Sequence, residues 1–219
     1  LDSYGNRIIS SGEVFDYADK EVFTQYCVEN FVSGNPKKNL LKMTENPKNL
    51  IEFIQNTFPI SDYAAKLIAD NFEPFSYNKQ TFILKEGELN NDYVYLQSGF
   101  MRCFTFDFDG NEVTTNFFSQ NQMVFELSSY FQRKPSKENI QAVTDCYGFV
   151  VKYEQFQSLF HSLPEFREFG RAILVKGFVE LKERTLSMIN QKAEQRYETL
   201  LYSNPELLQN VPLKYIASY

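Results

Sequence analysis

The segment LKEGELNNDYVYLQSGFMRCFTFDFDGNEVTTNFF, residues 84–118, determines the fold of this chain. It alternates short runs rich in Phe, Tyr, Val and Thr with turn residues, which is typical of short strands. A strand with one buried face is predicted by four phenylalanines at even spacing: Phe100, Phe104, Phe106 and Phe108. Asp109-Gly110 lies between two such runs, and a DG pair flanked by alternating apolar residues predicts a β-hairpin.

Similar runs lie on both sides of this segment. They are TFILK (81–85), NIQAVTD (139–145) and YGFVVK (147–152). Together the runs indicate about six or seven strands within about 80 residues, which is typical of an antiparallel barrel or sandwich. Helical patterns flank them, so the predicted class is α+β, an antiparallel β-barrel or jelly roll with flanking helices.

The chain begins with helical patterns. Apolar residues recur at helical spacing within 13–32, which predicts a first helix. Asn46-Pro47 is expected to open a second helix, and Ser61 to cap a third. The third helix is expected to bury one face: Tyr63, Ala64, Leu67 and Ile68.

A helical period returns after Tyr153, with a short helix over 153–160 and a long one from Pro164 to about Asn190. One apolar stripe of the long helix has 4-3-4-3 spacing: Leu174, Phe178, Leu181, Thr185 and Met188. A second stripe lies beside it: Ala172, Val175, Val179, Leu186 and Ile189. Because one stripe suffices to pack a helix on its own domain, the pair predicts a homodimer interface. Deep burial within its own chain is the alternative.

The last residues, 193–219, indicate a helix, a break at Ser203-Asn204-Pro205, a short turn and a new helix opened by Pro212. That final helix is expected to bury one face: Leu213, Ile216 and Ala217. The chain begins with Leu1 rather than Met, and we interpret it as a fragment at both ends.

Charge and hydropathy exclude several classes of protein. The 219 residues carry 22 Lys and Arg against 28 Asp and Glu, a net charge of −6, which argues against a surface that coats nucleic acid as a whole. No apolar run approaches the ~20 residues of a membrane span. The N-terminus lacks the basic start and apolar core of a signal peptide. We therefore expect a cytoplasmic protein with no membrane partner.

The cysteine and histidine content argues against an enzyme. Cys27, Cys103 and Cys146 are far apart in the sequence, and His161 is the one histidine. Structural zinc and iron–sulfur sites take about four such ligands, and barrel metalloenzymes about three. We interpret His161 as a helix-end residue and expect neither a catalytic nor a metal site.

The order of elements resembles that of the Crp/Fnr transcriptional regulators. Residues 84–118 look like the barrel core of that family, with Gly87 after the first strand, Ser98-Gly99 at the end of an aromatic strand, and Asp109-Gly110 at a hairpin tip. The end of the chain, VPLKYIASY (211–219), resembles the first helix of the family's winged helix-turn-helix. The resemblance covers about 43–219, and it implies a sensor domain, a dimerisation helix and a DNA-binding domain.

The family's phosphate-binding cassette has a Gly-Glu pair, a short helix, and an Arg followed by a small residue. The corresponding stretch here is QMVFELSSYFQRKPSKENIQAV, in which Glu126 matches the Glu, Phe125 replaces the Gly, and Ser136-Lys137 replace the Arg and the small residue. Because a bidentate Arg–phosphate pair has no close substitute, the resemblance implies a degenerate cyclic AMP site. Arg133, Lys134 and Lys137 could attract an anion, or they are solvated charges on a loop.

The resemblance divides the chain into four segments. They are an unassigned helical segment (1–42), a cyclic-nucleotide-binding-like sensor domain (43–163), a dimerisation helix (164–196) and the beginning of a helix-turn-helix domain (197–219). The resemblance implies a regulator that binds DNA as a homodimer in the intact protein, without a cofactor, and it leaves open whether a small-molecule effector exists. A ligand-binding or scaffold domain without a DNA role is the alternative.

Overall fold

Two four-stranded antiparallel sheets form the centre of the structure, a computed structural model that describes residues 47–219. The described residues lie within one compact unit, Thr44–Tyr219. The helix predicted over 13–32, and with it the segment 1–42, lies outside them. The first sheet has the strand order β1-β8-β3-β6 and the second β2-β7-β4-β5. The strands are β1 Glu73–Tyr77, β2 Phe82–Leu84, β3 Asp92–Ser98, β4 Met101–Phe106, β5 Glu112–Phe118, β6 Gln122–Val124, β7 Asn139–Ala142 and β8 Cys146–Lys152.

Eight helices surround these sheets within residues 47–219. They are α1 Lys48–Thr57, α2 Asp62–Ala69, α3 Leu127–Gln132, α4 Tyr153–Ser162, α5 Pro164–Asn190, α6 Ala193–Ser203, α7 Leu207–Asn210 and α8 Leu213–Ala217. The predicted α+β class with antiparallel sheets is confirmed. The long helix runs from Pro164 to Asn190, as its apolar period predicted, and it ends within the predicted dimerisation segment 164–196 because Gln191 has an extended backbone. Residues 47–219 contain eight strands rather than the predicted six or seven, because β1 and the three-residue β6 carry little periodic pattern.

The first sheet is buried on both of its faces. One face meets the second sheet in a core that includes Val94, Leu96 and Val150. The other face is covered by the helices, and there Tyr93 and Tyr95 pack among their apolar residues. This double burial explains why the run DYVYLQ lacks a polar face.

Glycines make the turns that the sequence predicted between the strands. Gly87, Gly99 and Gly110 have φ values of +87°, +101° and +81°, where side chains are disfavoured. At Gly99 an added Cβ would also collide with the carbonyl oxygen of Asp145. The hairpin between β4 and β5 is confirmed, because its turn is closed by the Asp107 carboxylate, which accepts hydrogen bonds from the Asp109 and Asn111 N–H groups.

The predicted single buried face of β4 is wrong. Consecutive residues from Met101 to Phe104 are all buried, whereas Phe106 is 48% exposed and Phe108 fully exposed. The reason is that the inner side of β4 lines the core between the sheets while its outer side is covered by the C-terminal helices. The strand pairing also shifts between Cys103 and Phe104, where Thr115 is the extra residue of β5.

Helix α2 begins as predicted, because Ser61 Oγ accepts a hydrogen bond from the Ala64 N–H at 3.2 Å. The face predicted to be buried is wrong in part, since Tyr63 is 79% and Leu67 39% exposed. The buried face is instead Ala64, Ala65, Ile68 and Ala69. Small alanine side chains let α2 approach its neighbour closely, which the larger Tyr63 would prevent.

The C-terminal helices pack on a separate apolar cluster. Leu207, Val211 and Ile216 meet Phe100 and Val143 there. The predicted break falls between α6 and α7, but the face predicted for the final helix is wrong. Leu213 is 64% exposed and Ala217 is also exposed, because α8 has only five residues and contacts the sheet along one narrow line.

Candidate ligand site

The segment between β6 and β7 contains the residues predicted to form the ligand cassette. Glu126 lies at the N-cap of α3, where its carboxylate accepts hydrogen bonds from the N–H groups of Ser128 at 3.0 Å and Ser129 at 2.6 Å. The residue is 8% exposed. The acid predicted to hold a ribose hydroxyl is therefore fixed in position by the helix that begins directly after it.

Phe125, which stands where the family has a glycine, packs into an aromatic cluster. Its ring centroid is 4.6 Å from that of Tyr93 and 6.0 Å from those of Tyr130 and Phe131. A phenylalanine at this position adds buried apolar area beside the Tyr93 ring.

Arg133 is held by the protein, so the interpretation as a solvated loop charge is wrong for this residue. Its guanidinium donates to the Asn90 carbonyl oxygen at 2.8 Å and to Asn91 Oδ1 at 2.6 Å. It also lies 3.8 Å from the centroid of the Tyr153 ring. These contacts direct the charge toward the start of α4 and use two of its five N–H donors.

Ser136 stands at the predicted position of the phosphate arginine and is only 3% exposed. Its Oγ donates to the Glu138 carbonyl oxygen at 2.7 Å. Its backbone pairs with the turn between β2 and β3, through the Gly87 N–H and the Glu88 carbonyl oxygen, each at 2.8 Å. Lys137 is exposed, and the structure gives its backbone carbonyl oxygen a hydrogen bond from Thr105 at 3.1 Å.

Two carboxylates of this segment, Glu126 and Glu138, lie near the Cys103 thiol of β4. Burial and the nearby Glu138 carboxylate raise the pKa of the Cys103 thiol, and Glu126 acts in the same direction. Asn139 Oδ1 accepts a hydrogen bond from the Glu86 N–H at 3.0 Å, while its Nδ2 is buried without a partner.

The dimer residues predicted on α5 lie on its exposed part. Leu174 is 37% exposed, Phe178 68%, Leu181 60% and Met188 51%. Thr185 is exposed as well, and its hydroxyl donates to the Leu181 carbonyl oxygen at 2.9 Å. The alternative of a helix buried within its own chain is wrong for this part of α5.

Sequence reasoning missed Arg102, the largest fully buried side chain among residues 47–219. It lies in the middle of β4 and forms an ion pair with Glu112 of β5 at 2.6 Å. The observable sign was an arginine inside the apolar run FMRCF, but its partner could not be read from the strand register, since Arg102 pairs with Phe117 and Glu112 pairs with Phe106.

The described part of the chain offers neither a metal cluster nor a membrane span. Residues 47–219 contain no group of three or more His, Cys, Asp or Glu side chains that could hold a metal ion. His161 lies near the end of α4, as expected. None of the helices in this part combines the length and apolar character needed to cross a bilayer.

Comparison with known proteins finds one matching family model, which covers the strands and the helix after them. The family model of the cyclic nucleotide-binding domain matches residues 74–162. The curated proteins contain no significant match.

Solved structures share the fold at low sequence identity. A cyclic nucleotide-binding domain from Methylobacillus flagellatus KT has 12% identity and a TM-score of 0.57, over 67% of this chain and 85% of that one. A protein described as a Crp/Fnr-family transcriptional regulator, from Eubacterium rectale ATCC 33656, has 16% identity and a TM-score of 0.57, over 70% and 74%. The catabolite activator protein of Thermus thermophilus has 19% identity and a TM-score of 0.53, over 73% and 72%. Residues 74–162 therefore match the cyclic nucleotide-binding domain, and the chain shares its fold with solved structures that include a protein described as a Crp/Fnr-family transcriptional regulator.

Proposed function

We propose that this chain is the sensor and dimerisation part of a cytoplasmic, homodimeric transcriptional regulator of the Crp/Fnr type. One observation carries the proposal: helix α5 comes directly after the sensor domain and leaves two apolar stripes exposed along most of its 27 residues. Exposed apolar side chains in such a continuous array mark an interaction surface. A second copy of the same helix presents a matching surface, as two-fold symmetry requires.

The DNA role is inferred from the three helices on the C-terminal side of α5. These short helices lie within residues 193–219, and VPLKYIASY covers the last of them and its flanks. In a dimer, two such segments would be related by a two-fold axis and would contact two half-sites of a symmetric DNA sequence. With a net charge of −6, contact with DNA must be confined to a local basic surface. The full-length regulator is expected to bind a two-fold symmetric site.

The proposed sensor has lost tight binding of cyclic AMP. The Ser136 hydroxyl is already used in a hydrogen bond to the Glu138 carbonyl oxygen. The Phe125 ring occupies the position where the family has a glycine, and the Glu138 carboxylate adds negative charge near the segment. Loss of a buried Arg–phosphate pair costs about 2–5 kcal/mol, or roughly 30- to several-thousand-fold in affinity. Cyclic AMP is then not the effector of this sensor.

Oligomeric state tests the dimer. Light scattering coupled to size exclusion, at tens of micromolar chain, is expected to give a dimer for residues 1–219. The double variant Phe178→Glu, Leu181→Glu is expected to be monomeric. A matched control is Tyr63→Glu, Tyr202→Glu, which adds the same charge at residues that are 79% and 92% exposed. A monomeric unmodified chain would contradict the proposal and favour the scaffold alternative.

Calorimetry tests the sensor. Titration of cyclic AMP into the unmodified chain is expected to give no binding at micromolar concentrations. Lys137 is the one exposed cation at the position of the family's Arg and small residue, so Lys137→Ala serves as the comparison. Micromolar binding that Lys137→Ala abolishes would show a rewired cassette and overturn this part of the proposal.

A further inference from the structure

Arg102 lies on the outer side of the second sheet and is 1% exposed. Its Nε and Nη2 donate to Gln141 Oε1 at 3.3 and 3.0 Å, and Nη2 also donates to Glu112 Oε2 at 2.6 Å. Its Nη1 is buried without a partner. Burying a cation that keeps one N–H group without a partner costs free energy. Some other contact must therefore keep the arginine buried.

That cover is the C-terminal helix α8. The guanidinium carbon of Arg102 lies 3.9 Å from the centroid of the Phe104 ring on one side and 3.5 Å from that of Tyr215 on the other. Phe104 belongs to the same strand, whereas Tyr215 comes from α8. The stacking on Tyr215 therefore joins the sensor sheet to the C-terminal segment.

Further polar contacts lie along β5. The Ser218 hydroxyl accepts from the Thr114 N–H at 3.2 Å and shares a hydrogen bond with the Thr114 hydroxyl at 2.8 Å. Arg184 of α5 donates to the Thr115 carbonyl oxygen and, at 3.0 Å, to that of Tyr219. Three elements meet here: the sheet, the long helix and the segment 207–219.

The apolar part of this contact is small. Only three buried apolar residues come from the segment: Leu207, Val211 and Ile216. An interface meant to stay closed is normally dominated by apolar area, because a buried ion pair contributes little net stability. Here the centre is a charge whose Nη1 has no partner while the segment covers it, and water can hydrate this group once Tyr215 moves away.

We propose that the segment 207–219 is held on the second sheet by a releasable contact, the Arg102 clasp, made of Arg102, Phe104 and Tyr215. In the closed state the segment covers the arginine; in the open state water hydrates it and the segment is free to take another position. The charge makes the closed state weaker than an apolar contact of the same size, and this keeps both states accessible.

The same strand connects the clasp to the interior. Cys103 comes directly after Arg102 and packs in the core between the sheets, while its other neighbour, Phe104, stacks on Arg102. The pairing with β5 shifts between Cys103 and Phe104, so the ladder is interrupted at this step. A change inside the domain that moves Cys103 therefore alters the stacking that covers Arg102.

Hydrogen exchange of the chain 1–219, monitored by mass spectrometry over 207–219, tests the clasp. Tyr215→Ala is expected to speed exchange of this segment about tenfold, since a desolvated cation–π contact is lost. Arg102→Met is expected to slow it severalfold, because an apolar side chain of similar length removes the buried charge. Arg171→Met, which removes an exposed arginine paired with Glu168, is the matched control and should change nothing.

The two variants are expected to change the exchange rate of 207–219 in opposite directions, and this distinguishes a releasable contact from one that only stabilises the fold. If Arg102→Met speeds exchange as Tyr215→Ala does, the arginine is a simple stabilising residue and the proposal is wrong. Unchanged exchange in Tyr215→Ala would also overturn it. If Arg102→Met also speeds exchange in β3 and β8, the fold of that variant is damaged, and the Tyr215→Trp variant is used to test the clasp instead. The larger ring should slow exchange of 207–219, and faster exchange would contradict the clasp.

Discussion

The two parts of helix α5 have opposite surroundings. Its first turns bury Phe166 and Phe169 completely against the sensor core, while its later turns leave Phe178 68% exposed. All three are phenylalanines of one continuous helix with the same local propensity, so residue type does not distinguish them. The first part of α5 therefore belongs to the domain, and the remainder belongs to whatever packs against it.

Truncating one phenylalanine in each part gives the largest expected contrast. Phe169→Ala is expected to lower the free energy of unfolding by about 3–5 kcal/mol, because it leaves a cavity in the core. Phe178→Ala is the matched control and should cost less than about 0.5 kcal/mol at submicromolar chain, where association contributes least. Urea unfolding monitored by circular dichroism measures both. Equal losses would remove the distinction between the two parts of the helix.

Tyr95 lies in the core that the first part of α5 covers, and it offers a smaller test of how much that core contributes to stability. Its hydroxyl donates to Asn121 Oδ1 at 2.7 Å, so Tyr95→Phe is expected to cost about 1 kcal/mol at pH 7. Burial, with a smaller effect of Glu52, raises the pKa of Tyr95 from its ordinary value of 10.0 to about 12.

The sign of the pH dependence is set by that shift. Because the folded-state pKa is raised, the stabilisation is complete below pH 10 and is lost as the pH rises toward 12. The stability of Tyr95→Phe should fall less steeply over this window, so the two unfolding curves converge. Thermal unfolding between about pH 8 and about pH 11.5 measures the effect. Parallel curves for the two proteins would mean that Tyr95 ionises as readily in the folded state as in the unfolded one.

Much of the fold could be predicted because its elements have strong local patterns. The Asp109-Gly110 turn, the Ser61 cap and the Pro164 start of α5 each depend on one or two residues with specific backbone chemistry. What failed was the assignment of faces. Tyr63 and Leu213 are exposed where burial was expected, because which side of a short helix is covered depends on distant elements.

The cassette shows the same limit at finer scale. Sequence reasoning placed Glu126 and Ser136 correctly within one segment, between β6 and β7. It could not show that Arg133 reaches Asn90 and Asn91, which precede it by more than 40 positions in the sequence. Nor could it show that Arg102 is covered by Tyr215, since that contact joins residues far apart in the chain. Polar contacts between residues far apart in the chain produce no periodic pattern in the sequence from which they could be predicted.

The extra residue in β5 bears on insertions and deletions. Thr115 has no partner in β4, because Cys103 pairs with Asn116 and Phe104 with Thr114. Removing Thr115 would therefore leave both of those pairs in register, and because residue 114 is also a threonine, deleting either one gives the same shortened strand. The carbonyl group that Arg184 uses belongs to this unpaired residue. A relative one residue shorter here could keep the whole sheet and yet lose the hydrogen bond from Arg184 of its long helix. The length of the chain at this position could therefore change the contact between helix and sheet without changing the fold.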